Sequence, residues 1–191
     1  MAISLKKGGS ADITRNNGLS KLVVGLGWDV NEFDSGDDFD LDASAFLLNA
    51  YGQVDSEDDF VFYGNPEHDS RSVRSGGDNR TGEGDGDDEQ LFIDLDKVPA
   101  FVQKIAFTVT IYDAEERRQS FGQINNAFIR VVDERTGREI VRYDLAEDFS
   151  IETGVIIGEL YRDGNGWKFA AIGSGFNGGL EELCGYYGVE L

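Results

Sequence analysis

Hydrophobic and polar positions alternate residue by residue, or gather into short β-branched blocks, along most of this chain, and helical periodicity is almost missing. Residues 21–28 (Lys21, Leu22, Val23, Val24, Gly25, Leu26, Gly27, Trp28) form a block with the apolar, β-branched make-up of a buried strand, ending at Asp29. Over residues 39–48 the alternation is strict at first. Phe39, Leu41, Ala43, Ala45 and Leu47 share one face, and Asp40, Asp42 and Ser44 the other. A strand rises about 3.3 Å per residue, so Asp40 and Asp42 stand on one side roughly 6.6 Å apart. Beyond Ser44 the second face also turns apolar, through Phe46 and Leu48, and the strand is expected to enter the core there. Residues 59–64, 90–95 and 105–112 read as further strands, and weak alternation at 3–7 and 10–16 predicts edge strands. Residues 127–133 and 139–145 predict a hairpin around Arg135, Thr136 and Gly137. Residues 154–162 and 167–172 predict another around Asp163, Gly164, Asn165 and Gly166. Helix is expected only at 96–103, capped by Asp96 with Pro99 in the first turn, and as a terminal turn at 180–187. The pattern predicts one all-β domain over residues 1–191: an antiparallel sandwich or barrel of about nine strands with one or two short helices.

Composition narrows the function. An apolar content of 40% in 191 residues is enough to bury a sizeable core. The 37 acidic residues outnumber 17 Lys and Arg, for a net charge of −20. That balance argues against nucleic acid, whose phosphates call for clusters of Lys and Arg, and it disfavours anionic membrane surfaces. No apolar run reaches bilayer length, so membrane insertion is not expected. The opening residues lack the apolar stretch of a secretory signal, which makes cytoplasmic residence the expectation. A single cysteine, Cys184, excludes an internal disulfide and a cysteine-based zinc site, and it reads as packing.

The acidity is not evenly spread. Residues 76–89 place six carboxylates among five glycines, relieved by one cation, Arg80. Such a run repels itself and is costly to order. It stays solvated unless something strongly cationic folds it. Ca²⁺ takes six to eight oxygen ligands in a flexible cage. The carboxylates, the Asn79 amide, the Thr81 hydroxyl and carbonyls bared by glycine turns are suitable donors. A second acidic cluster, residues 29–42, lies on strand ends able to reach the first. The spacing is not that of an EF-hand, because Arg80 would occupy its third position.

Other motifs carry less. Gly173, Gly175 and Gly178 match G-x-G-x-x-G after a strand, but the chain runs only to Leu191 and has no room for a βαβ unit, so turn glycines are expected. The sole histidine, His68, lies in a polar loop and is expected to be solvated, with no buried acid to orient it. The many carboxylates share one wet environment, unlike the contrasting pair of a glycosidase. Trp28 and Trp167 are expected in the core.

Several blocks resemble the bacterial TerD family of tellurite-resistance and stress proteins. They are residues 25–29 (Gly25, Leu26, Gly27, Trp28, Asp29), 40–46 (Asp40 through Phe46) and 77–89, together with 124–130, 139–145, 158–162 and 167–173. The resemblance covers essentially the whole chain. It implies a β-sandwich that binds calcium, usually as two neighbouring ions, in cytoplasmic proteins of the ter stress system, with no known reaction. Carried over by position, the acids of 78–89 are the main ligands: Asp78, Glu83, Asp88 and Glu89. Asp29, Asp40 and Asp42 close the site from the strand ends, and Asn79, Thr81 and Gly82 are neutral donors. Asp85 and Asp87 are expected to stay in solvent. The implied role is a non-enzymatic calcium-binding protein whose ordered loop meets other proteins of the ter system. The alternative from a different class is a Mg²⁺- or Mn²⁺-dependent hydrolase using the same carboxylates.

Overall fold

The computed structural model describes residues 2–15, 18–30, 39–77, 86–146 and 148–190. Among these residues twelve strands form two six-stranded sheets packed as a sandwich. In chain order they are β1 (Ile3–Leu5), β2 (Ser10–Asp12), β3 (Lys21–Val30), β4 (Leu41–Leu48), β5 (Phe60–Val61), β6 (Val73–Ser75), β7 (Glu89–Asp94), β8 (Lys104–Ile111), β9 (Ile124–Asp133), β10 (Glu139–Asp144), β11 (Gly154–Asp163) and β12 (Gly166–Phe176). The first sheet runs β1-β10-β9-β3-β7-β6 and the second β2-β12-β11-β8-β4-β5. Both expected hairpins are present, β9 with β10 and β11 with β12. Among the described residues no helix is long and apolar enough to cross a membrane.

Two features depart from the local pattern. β1 pairs with β10 in parallel, whereas the other ladders are antiparallel. Its chain neighbour β2 crosses to the other sheet and pairs with β12, so the N-terminal segment edges both sheets. The helix expected at 96–103 is instead a single 3₁₀ turn, Leu95–Lys97, followed by a turn in which the Val102 N–H donates to the Pro99 carbonyl at 3.0 Å. The cause is local. Val98 precedes Pro99, whose ring disfavours the helical region for the residue before it, and Val98 sits at φ −63°, ψ 123°. Arg162 then secures this segment, donating from Nε to the carbonyl of Val102 at 2.7 Å and from its terminal nitrogen to those of Val98 and Pro99.

The alternation of residues 39–48 is realised as two separate cores. Leu41, Ala43, Ala45 and Leu47 point between the sheets, against Leu22, Val24, Leu26, Leu91, Ile129 and Val131. Phe46 and Leu48 point outward, where a helix near the end of the chain, α1 (Gly179–Tyr187), covers them with Leu183, Cys184 and Tyr187. Phe46 stacks on Phe60 at 4.4 Å between ring centroids and leans on Tyr187 at 4.6 Å. Cys184 is fully buried there, and burial pushes its thiol up to about 11, which agrees with a packing role. Both tryptophans are in the main core.

Candidate metal centre

β3 and β7 are antiparallel, so the end of one meets the start of the other: Leu26 pairs with Glu89. The chain therefore brings Trp28 and Asp29 beside residues 86–89. The Asp88 backbone N–H donates to the Leu26 carbonyl, and its carboxylate accepts the Trp28 N–H, both at 2.8 Å. Asp88 is only 8% exposed. Burial pushes its carboxyl above the usual range, the Trp28 N–H opposes this, and the charges of Asp29 and Asp87 raise it further. Glu89 is buried too, on the core-facing side with Leu91 and Ile93. A register shift between β3 and β9 falls at Gly27 and Asp29. Asn126, held at φ 51°, donates from its side-chain amide to Asp29 at 2.7 Å.

Asp87 does not stay in solvent. Its side chain is 1% exposed, and Arg130 grips both oxygens, Nε to Oδ1 at 2.6 Å and a terminal nitrogen to Oδ2 at 3.1 Å. Gln90 donates to Oδ2 at 3.0 Å. Arg130 also reaches Glu139 at 3.2 Å, and the hydrogen bond to Asp87 is the leading reason its guanidinium is held above its ordinary value. Gly25 makes room for this, because a Cβ there would overlap the Asp87 carboxylate. The sequence shows that residue 25 is glycine but not what lies across from it, since Arg130 and Asp87 are 43 positions apart.

The remaining predicted ligands fall elsewhere. Asp78, Asn79, Thr81, Gly82 and Glu83, with Asp85, lie outside the described residues. Asp42 faces the outer side of the second sheet, opposite Thr110, in a cleft of about 520 Å³ with Tyr63, Tyr112 and Asp113. Asp40 precedes β4 and accepts the Tyr112 N–H on its carbonyl at 2.8 Å. Asp29, Asp88 and Glu89 thus lie toward one end of the first sheet, while Asp42 lines a groove on the second. Among the described residues no three His, Cys, Asp or Glu side chains form a group able to hold an ion. The donors gathered at the β3–β7 end are all oxygens, of the kind that suits a hard divalent cation rather than zinc. A full cage would have to draw on residues 78–85.

His68 is corrected as well. It is 5% exposed, with Nε2 3.0 Å from Asp59 Oδ1 and Nδ1 2.7 Å from Ser70 Oγ. Asp59 Oδ2 accepts the N–H groups of Asp55 and Ser56, both at 3.0 Å. Because the Ser70 N–H also donates to Nδ1, the proton of a neutral ring sits on Nε2, toward Asp59. Ser70 Oγ in turn lies 2.7 Å from Ser72 Oγ. The group works as a clasp between the Glu57–Asp59 turn and the segment leading into β6. A polar loop in the sequence carries no sign of it except the nearness of Asp59 and His68.

A family model described as the TerD domain matches residues 1–187. The chain belongs to the TerD family. Its TerD relatives include general stress protein 16U of Bacillus subtilis (strain 168), 56% identical over 192 residues and covered end to end on both chains. Tellurium resistance protein TerD of Alcaligenes sp is 54% identical over 191 residues, with 100% of this chain and 99% of that one covered. The crystal structure of a homologue of telluride resistance protein TerD from Streptomyces coelicolor A3(2) superposes with a TM-score of 0.69 at 22% identity. The match covers 87% of this chain and 95% of that one, and it supports the sandwich fold. The family and the two relatives' names place the chain among tellurium-resistance and stress-response proteins, and neither relative's name gives an enzymatic activity.

Proposed function

We propose that the chain is a non-enzymatic calcium-binding protein of the cytoplasmic stress response. In this reading Asp29, Asp88 and Glu89 act with the acids of residues 78–85, and the neutralised pole becomes a surface for partner proteins of the ter system. The observation that carries the reading is Asp88: a buried carboxylate whose ionised form is disfavoured by burial and by two neighbouring acids. A divalent cation, when bound, would add positive charge beside these carboxylates, at a pole where Arg130 is engaged by Asp87 and Glu139. The chain's own part is to hold Asp88 through the Trp28 N–H and to orient Asp29 through Asn126. The relatives' stress and resistance names agree with a role in stress but say nothing of calcium.

Calorimetric titration and thermal melting test it. Stabilisation follows RT ln(1 + [L]/Kd), so at about 100 Kd of calcium the gain is roughly 2.7 kcal/mol. A melting curve indifferent to both calcium and chelator defeats the reading.

A further inference from the structure

At the opposite end of β3 and β7, where Lys21 pairs with Asp94, the first sheet closes on a pocket of about 160 Å³. Its charged lining is Lys21, Arg71, Arg74 and Lys97 against Asp94 and Glu134. In a chain with 37 acidic residues and 17 basic ones, four cations to two acids reverses the local sign of the field. The cations come from three elements: Lys21 opens β3, Arg71 and Arg74 flank or lie in β6, and Lys97 closes the 3₁₀ turn. Arg74 lies on the Phe92 ring at 4.1 Å, which steadies its guanidinium, and Lys97 sits 3.3 Å from Asp94 Oδ2. The other oxygen of the same carboxylate, Asp94 Oδ1, is buried and finds no hydrogen-bond partner among the described residues.

We propose that this pocket binds a small oxyanion that still carries a proton, hydrogen phosphate being the simplest example. The cations attract the anion's oxygens. Asp94 decides which anion is accepted. A carboxylate repels a fully deprotonated oxyanion but takes a hydrogen bond from one that keeps an O–H. The terminal torsion of an aspartate is soft enough to turn Oδ1 toward such a donor. A site with an unsatisfied acceptor discriminates strongly against a ligand lacking the matching donor. The volume is below that of a drug-sized site and suits a small ion. This proposal does not depend on the calcium reading.

The test is a titration of the full chain followed by backbone amide NMR at pH 8, with chloride balancing ionic strength, because exposed cations are screened by salt. Inorganic phosphate, which retains a proton at that pH, is expected to give saturable shifts at Arg74, Ile93, Asp94 and Lys97. Sulfate and methyl phosphate, which do not retain one, are expected to bind at least about tenfold more weakly, in line with the cost of an unmet buried acceptor. The methyl phosphate arm separates a free anion from a phosphate group carried on a partner. Arg74→Gln with Lys97→Gln is expected to weaken phosphate binding, and Asp94→Asn to abolish the preference over sulfate while the fold persists. Equal binding of phosphate and sulfate by the unmodified chain would mark only a counterion atmosphere. That result, or shifts that do not saturate or do not map to this pocket, overturns the proposal.

Discussion

The two ends of the β3–β7 ladder share one backbone geometry and carry opposite chemistry. At the Glu89 end, carboxylates are drawn out of water: Asp88 and the side chain of Asp87 are buried, and Arg130 pairs with Asp87 and Glu139. At the Asp94 end the charges are mostly positive and mostly wet, with the Lys97 side chain 52% exposed. Buried charges interact strongly and cost much to leave unpaired, whereas exposed pairs contribute little and fade with salt. The difference teaches that in so acidic a chain the number of charges says less than their depth. The acidic end should govern stability, and the cationic end should govern only what is bound there.

Four substitutions bear on that contrast. The largest effect is expected from Arg130→Ala, which strands the Asp87 carboxylate. Loss of one partner of a buried pair costs about 3 kcal/mol, and urea denaturation at low and high salt should show the same loss in both. Next comes Gly25→Ala, whose methyl would overlap Asp87 and force it off Arg130. Overpacking of this sort costs about 1–3 kcal/mol, and the change in denaturation midpoint measures it.

Asp88→Asn should act with the opposite sign. The folded state holds this carboxyl above its ordinary value, so it favours the protonated form. The resulting penalty is fully present above the raised value and vanishes as pH falls below the ordinary one. Calcium-free Asp88→Asn is therefore expected to be modestly more stable than the parent at neutral pH and equal to it in acid, since the amide oxygen still accepts the Trp28 N–H. In calcium the order reverses, because the variant loses a ligand. Melting curves across pH, with and without chelator, read both results. The smallest effect belongs to the other end: Lys97→Ala should change stability by no more than about 0.5 kcal/mol, and by less in high salt.

Much of the fold was legible because strand periodicity is a local property. The alternation at residues 39–48 marks both faces of β4, and turn residues mark the β9–β10 and β11–β12 hairpins. The helix expected at 96–103 failed although its own sequence held the warning, in the pairing of Val98 with Pro99. β6 is three residues long and pairs across the acidic block, so no periodicity marks it. At the site, sheet register sets Asp29 near Asp88, while Asp42 was carried to the outer face of the second sheet by its own alternation. Asp87 and His68 were misjudged for a common reason. Each looks solvated among polar neighbours, and each is buried by a partner brought in through the fold.

By itself, then, the sequence determined the all-β character, the faces of the main strands, the concentration of carboxylates near residue 88 and the family to which the chain belongs. Only the tertiary structure decided which carboxylates are buried, which cation answers them and where the field changes sign. The reason is physical. Periodicity is set by neighbours one and two residues away, whereas the depth of a charge is set by sheet register and bulges, which join residues as far apart as Asp87 and Arg130.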